Sequence, residues 1–293
     1  MSATPEPSAD VEISLALARR LVAAQHPDLA RLPLTEAESG WDNAMFRLDD
    51  DLAVRLPRRA LGAALAETEL RWLPVVAPGL PLPVPAPVRA GAPDGGYPYA
   101  WSIVPWLDGA PADLGWPGAA GQGAVLAAFL RALHQPAPAD APRNPYRGVA
   151  LAERAAAFEE RFAQSEAIAG PLPHLRRLWD VGVAAPIDTP RSWFHGDLHG
   201  RNVLTRDGRF TAIVDWGDMA AGDAACDLGA VWLLLPDRAE RAAAMAAYDA
   251  SQATWARARG WAAIMTVMLI SIAGNERMPA MGRAVAARLR DEP

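Results

Sequence analysis

The chain has 293 residues, 51% of them apolar, and sets 34 acidic residues against 28 basic ones, every one of them arginine, for a formal net charge of −6. That length and composition supply a sizeable core, as one large domain or two packed lobes, which argues against disorder. The mild acidity and the lack of a dense basic run argue against a nucleic-acid partner, while the one cysteine, Cys226, excludes an intramolecular disulfide and suits a reducing cytoplasm.

Val11, Leu15, Ala18, Leu21 and Val22 recur at helical spacing up to His26-Pro27, which predicts a first helix. The first thirty residues hold no apolar run behind a basic start, so no secretory signal is expected. Met45–Leu48 and Leu52–Leu56 read as strands joined by a turn at Asp49-Asp50-Asp51, and Leu61–Val76 as a helix closed by Pro78-Gly79. In Leu80–Pro87 every second residue is proline, which fixes φ and removes a donor, so the stretch is an extended connector. Ala100–Val104 reads as a buried strand. The irregular run Pro105–Gly109 then marks the boundary between an N-terminal lobe, residues 1–106, and a C-terminal lobe, residues 107–293. Beyond it helical patterns dominate: Val125–His134, Leu151–Ile168, Pro173–Val181, Leu228–Leu235 and nearly everything from Arg238 onward, with one hairpin as the exception. The longest apolar run, Trp261–Ala273, is too short to cross a bilayer and reads as a core helix, so no membrane partner is expected.

The hairpin is Val203–Arg206, then Asp207-Gly208, then Arg209–Val214, with Asp-Gly the favoured two-residue turn. Asn202 stands just before its first strand and Asp215 just after its second, so antiparallel pairing brings both to one end. An amide carbonyl and a carboxylate are hard oxygen donors, suited to Mg²⁺ shared with nucleotide phosphates. Asp197 lies five residues before Asn202 in His195-Gly196-Asp197-Leu198-His199-Gly200-Arg201-Asn202, a loop whose glycines allow a tight path. A carboxylate there is placed to orient an attacking hydroxyl or accept its proton.

That octapeptide, followed by Ile213-Val214-Asp215-Trp216-Gly217 and by Gly222-Asp223-Ala224-Ala225-Cys226-Asp227-Leu228, resembles the aminoglycoside phosphotransferase family, which is related in fold to the protein kinases. The resemblance implies an α+β, two-lobed protein-kinase-like fold, with a small antiparallel-sheet lobe, a larger mainly helical lobe and ATP in the cleft between them. It implies that Asp197 is the catalytic aspartate, that Asn202 and Asp215 are the magnesium ligands, and that His195 braces the loop. His199 stands where protein kinases often carry a phosphate-contacting lysine, and is assigned with the nucleotide-binding residues. Asp223 and Asp227 match a downstream acidic motif, read as loop-supporting and helix-capping.

In the first lobe Gly40-Trp41-Asp42-Asn43 would form the loop over the phosphates, although it is not the Gly-rich kinase loop. Arg55 occupies the strand position where most of the family places a phosphate-binding lysine, and Glu69 matches the helix glutamate paired with that cation, with Glu67 as the fallback. Arginine keeps the charge but changes reach and angle. Pro105-Trp106-Leu107 falls at the adenine-binding hinge, where Pro105 offers a carbonyl and Leu107 an N–H. The implied cofactors are ATP and Mg²⁺, and the implied reaction is O-phosphorylation of a small-molecule hydroxyl acceptor.

Other readings stand beside these. His195 and His199, four apart, have the spacing of a zinc pair, but Gly196 between them and the lack of an adjacent glutamate argue against it. Trp216 is read as a packing residue, Cys226 as a buried small hydrophobe, and Trp255 and Trp261 as candidates to line a cavity. Acids and arginines balance from Gly222 to Pro293, which leaves the acceptor open between an aminoglycoside, a bulkier macrolide and a metabolic alcohol. The missing lysine and the poor phosphate loop also motivate a nucleotide-binding pseudokinase without turnover.

Overall fold

The computed structural model describes residues 9–37, 40, 42–274 and 276–290. Contacts divide the chain into two compact units, one ending at Asp108 and the other running from Gly109.

In the first unit Ser14 caps helix α1 (Leu15–Gln25) by accepting from the Leu17 N–H at 3.2 Å. The helix thus starts a turn later than the apolar spacing from Val11 predicts, because the serine satisfies an N–H that the first turn leaves without a partner. Strands β1 (Leu34–Glu36), β2 (Asn43–Leu48) and β3 (Leu52–Pro57) lead into helix α2 (Ala60–Val76). Leu80–Pro87 carries neither helix nor strand, as its prolines require. Strands β4 (Arg89–Gly91) and β5 (Trp101–Pro105) then complete an antiparallel sheet of order β1-β2-β3-β5-β4. Phe46, Leu48, Val54, Leu56 and Ile103 are buried in one core with Leu21 of α1 and Trp101. Side chains alternate along a strand, so Arg55, between Val54 and Leu56, leaves on the opposite face. There α2, which packs on β3 and β5, presents the buried Glu69.

The second unit opens with β6 (Ala110–Pro111) and helices α3 (Gln122–Leu133), α4 (Ala155–Ala169) and α5 (Pro173–Ala184). Strands β7 (Ser192–Phe194), β8 (Val203–Arg206), β9 (Arg209–Ile213) and β10 (Ala220–Gly222) follow. Helices α6 (Ala225–Leu228), α7 (Ala230–Leu234), α8 (Arg238–Tyr248), α9 (Gln252–Ser271) and α10 (Arg277–Arg290) close the chain. The β8–β9 hairpin is not the exception to helix that the sequence predicts: β6 extends it, and β7 and β10 pair separately. These strands span two or three residues each, too few to show an alternating pattern.

Helix α9 is the hub, packed by α4, α5, α6 and α10, with Trp261, Ile264, Val267 and Ile270 all buried. Its apolar run is a core helix, and among the described residues no helix is long and apolar enough to cross a membrane. Trp255 and Trp261 are buried in this packing.

Candidate active site

The β8–β9 hairpin turns on Asp207 (φ 52°) and Gly208 (φ 72°), both left-handed as a type I′ turn requires. Its ladder pairs Arg206 with Arg209 and Val203 with Ile213, and the Val214 N–H donates to the Asn202 carbonyl at 2.8 Å. Asn202 and Asp215 therefore flank the same end of the hairpin. Asp215 itself has φ 62°, a strained conformation for a non-glycine residue.

The loop before the hairpin is held by its backbone. The buried Asp227 carboxylate accepts from the N–H groups of His195 (2.6 Å) and Gly196 (2.8 Å). Gly196 has φ 91°, and a Cβ there would lie 2.9 Å from the Asp218 carbonyl oxygen, so no other residue fits without strain. His195 is fully buried; its Nε2 donates to the Val214 carbonyl (3.0 Å), which leaves Nδ1 to accept from the Asp197 N–H (3.2 Å). This histidine ties the loop to the hairpin. Its ring meets Trp216 edge-on at 4.7 Å, and Trp216 is a packing residue, its indole donating to the Ile213 carbonyl.

Around Asp197 the loop gathers three side chains. The Asn202 Nδ2 donates to both the Asp197 carbonyl and its Oδ2, at 3.0 Å each. His199 Nε2 faces Oδ2 at 3.3 Å while its Nδ1 accepts from the Arg201 N–H, and Arg147 Nη2 lies 3.5 Å from Oδ1. Burial pushes the Asp197 carboxyl up, but the charge and hydrogen bond of His199 and the charge of Arg147 outweigh it and hold the group well below the usual carboxylate range. Burial depresses His199, yet Asp197 and Asp215 raise it above its ordinary value. Asp197 is thus ionised at neutral pH.

The chemistry of Asn202 also suits a metal ion. Two oxygen acceptors fix its amide nitrogen, so the carbonyl Oδ1 is left without a donor among the described residues, beside the end of the hairpin that carries Asp215. That pair of oxygen donors fits Mg²⁺.

In the first unit Arg55 and Glu69 form a two-pronged ion pair, Nη1 with Oε2 and Nη2 with Oε1 at 3.2 Å. The fallback Glu67 is exposed. Pro105 ends β5 opposite Leu52 and Leu107 follows in irregular backbone, after Trp106 has donated to the Asp51 carbonyl. Both stand apart from the ion pair along the strand. In the phosphate-loop segment Asp42 pairs with Arg59 at 2.7 Å, and Trp41 lies outside the described residues.

The sequence reading missed Arg147. Its Nε donates to the Gly196 carbonyl at 2.8 Å, so it grips the loop at backbone and carboxylate alike. It sits some fifty residues upstream in a Pro- and Gly-rich segment where no spacing marks it. Asp223 supports the neighbouring strand by pairing with Arg257 of α9, Nε to Oδ2 at 2.7 Å. Cys226 is buried, and burial with the Asp227 charge raises its thiol far above the ordinary range, so it is an inert small side chain.

The model of the APH phosphotransferase enzyme family matches residues 33–261, a span that includes the Arg55–Glu69 pair and every residue around Asp197. The chain belongs to the phosphotransferase enzyme family. No curated protein matches the family member in sequence at a significant level. Solved structures do match it. Wild-type aminoglycoside 2'-phosphotransferase-IIIa in its GDP complex is 18% identical, with a TM-score of 0.64 over 95% of this chain and 99% of that one. Macrolide 2'-phosphotransferase MphH from Brachybacterium faecium is 23% identical, with a TM-score of 0.58 over 95% of this chain and 98% of that one. Macrolide 2'-phosphotransferase type I is 21% identical, with a TM-score of 0.53 over 95% and 98%. The phosphotransferase fold of this chain is therefore the α+β kinase-like one, small antiparallel sheet and mainly helical part included.

Proposed function

We propose that the protein is an ATP- and Mg²⁺-dependent O-phosphotransferase that acts on a hydroxyl of a small molecule. One observation carries the reading: a buried loop presents an ionised Asp197, clamped by Asn202, at the end of the hairpin that Asn202 and Asp215 flank. Family membership sets the reaction type, and solved proteins of this fold hold GDP, ADP or ATP.

In this reading Arg55, oriented by Glu69, holds the α- and β-phosphates with a planar fork that suits phosphate oxygens. The Pro105 carbonyl and Leu107 N–H bind the base through backbone groups. Asn202 and Asp215 hold Mg²⁺, which when bound offsets charge on the phosphate oxygens. Asp197 accepts a hydrogen bond from the acceptor hydroxyl and aims it in line with the γ-phosphorus. Because His199 and Arg147 keep that carboxylate weakly basic, its main work is orientation, and the proton moves to it only as the phosphoryl group is taken.

The test is a panel of alcohols with Mg-ATP, read by ADP release and product mass. Gain of one phosphoryl group on an alcohol supports the reading. Mg-ATP binding without turnover on any alcohol contradicts it and favours the pseudokinase.

A further inference from the structure

Beside Arg147 the second unit holds a pocket of about 430 Å³. Three arginines line it, Arg143, Arg147 and Arg191, with Thr189, Glu153 and Asp223. Arg147 faces the Asp197 carboxylate at 3.5 Å, but no carboxylate pairs with Arg143 or Arg191 among the described residues. Asp223 is committed to Arg257, which takes both its oxygens at 2.7 and 3.1 Å. Glu153 accepts from the Ala150 N–H at 3.2 Å and has no arginine partner among the described residues. Arg191 donates to the carbonyls of Pro138 (2.8 Å) and Ala141 (2.7 Å), neutral groups that fix its guanidinium without cancelling its charge. Arg143 is exposed and has no bonding partner among the described residues.

Positive charge is crowded on the neighbouring segment as well. Arg154 stacks over Tyr146 at 5.2 Å, and its buried Nε has no hydrogen-bond partner. Burial and the like charge of Arg147 both disfavour its charged form. Leaving like charges together around a concave site costs stability unless an anion binds there, and guanidinium forks match the planar oxygens of carboxylate and the tetrahedral oxygens of phosphate.

We propose that this pocket binds an oxyanion, a carboxylate or phosphate group, with Arg143, Arg147 and Arg191 as its ligands. Two sources share that chemistry: an anionic group on the acceptor alcohol, or a free inorganic oxyanion. Arg147 touches Asp197, so an acceptor anchored in the pocket has its far end fixed relative to the catalytic carboxylate. The same charge repels the ammonium groups of a polycationic acceptor. The acceptor half of this inference rests on the kinase reading; the binding of an oxyanion does not.

Inorganic phosphate is the probe, titrated by calorimetry into the protein and into the variants Arg143→Ala and Arg283→Ala, the second removing an exposed arginine of α10. Arg143→Ala weakens phosphate binding by about tenfold, the loss of one charge-assisted hydrogen bond, with its thermal unfolding midpoint unchanged. Arg283→Ala leaves phosphate binding as it was. No phosphate binding, or binding unchanged in Arg143→Ala, overturns the pocket. A second arm compares glycerol, glycerol 3-phosphate, glycerate and choline as acceptors with Mg-ATP. A preference for the anionic alcohols that Arg143→Ala abolishes assigns the oxyanion to the acceptor. Turnover of uncharged alcohols, with phosphate binding unaffected by them, assigns it to a free ion. Phosphate binding without turnover of any alcohol keeps the pocket and removes the kinase reading.

Discussion

Asn202 donates its amide to the carbonyl and the carboxylate of Asp197 at once, at 3.0 Å each. One side chain thereby fixes the Asp197 carboxylate, and in the proposed function its own oxygen serves the cation. Asn202→Asp replaces that donor with a second carboxylate beside the first, and like charges at that distance raise one of the two acids. Turnover is expected to fall about 100-fold, with the Mg²⁺ dependence of ADP release displaced. An unchanged rate at all Mg²⁺ concentrations would place the metal elsewhere.

In the proposed function Arg55 and Glu69 serve the nucleotide. Their side chains are 11% and 4% exposed, so Arg55→Ala strands a buried carboxylate, at a cost of about 3 kcal/mol. The urea midpoint should fall accordingly, and Mg-ATP affinity should drop by about tenfold or more. Arg55→Lys restores the charge but not the fork, so it should recover stability better than affinity. Full Mg-ATP affinity in Arg55→Ala would leave the pair a purely structural device.

The parts legible in the sequence are those whose signal is local. Asp207-Gly208 marks its own turn, and the spacing of Asn202 and Asp215 about that turn puts both at one end of the hairpin. The family match puts Glu69 before Glu67, and the structure separates them by burial, Glu69 buried and Glu67 exposed. The strands at Leu34–Glu36, Arg89–Gly91, Ala110–Pro111, Ser192–Phe194 and Ala220–Gly222 are too short to carry a period and exist through their partners, which for Ala110–Pro111 lie over ninety residues on at Leu204 and Thr205. Arg147 is of the same kind: its role comes from folding a Pro- and Gly-rich segment against Gly196, a contact across 49 residues that no spacing encodes.

The Asp197–His199 contact gives a pH dependence to the metal-free protein. His199 is raised above its ordinary value, so the stability it contributes is complete below the unfolded imidazole value of about 6.5 and is lost as pH rises through the folded value. Urea midpoints of the wild type should fall across that rise more steeply than those of His199→Asn. Parallel curves for the two proteins would mean that the pair carries no proton-linked stability.

The central claim concerns Asp197, and Asp197→Asn tests it with least disturbance, since the amide keeps the shape and one oxygen of the carboxylate. Two quantities are measured on that variant: ADP release with an acceptor that the wild type phosphorylates, and the dissociation constant of Mg-ATP. Turnover should fall by about 1,000-fold or more while Mg-ATP affinity stays within about threefold of the wild type, because the lost group acts on the acceptor and not on the nucleotide. Turnover retained at the wild-type rate would contradict the assignment of Asp197 and the phosphotransfer mechanism built on it.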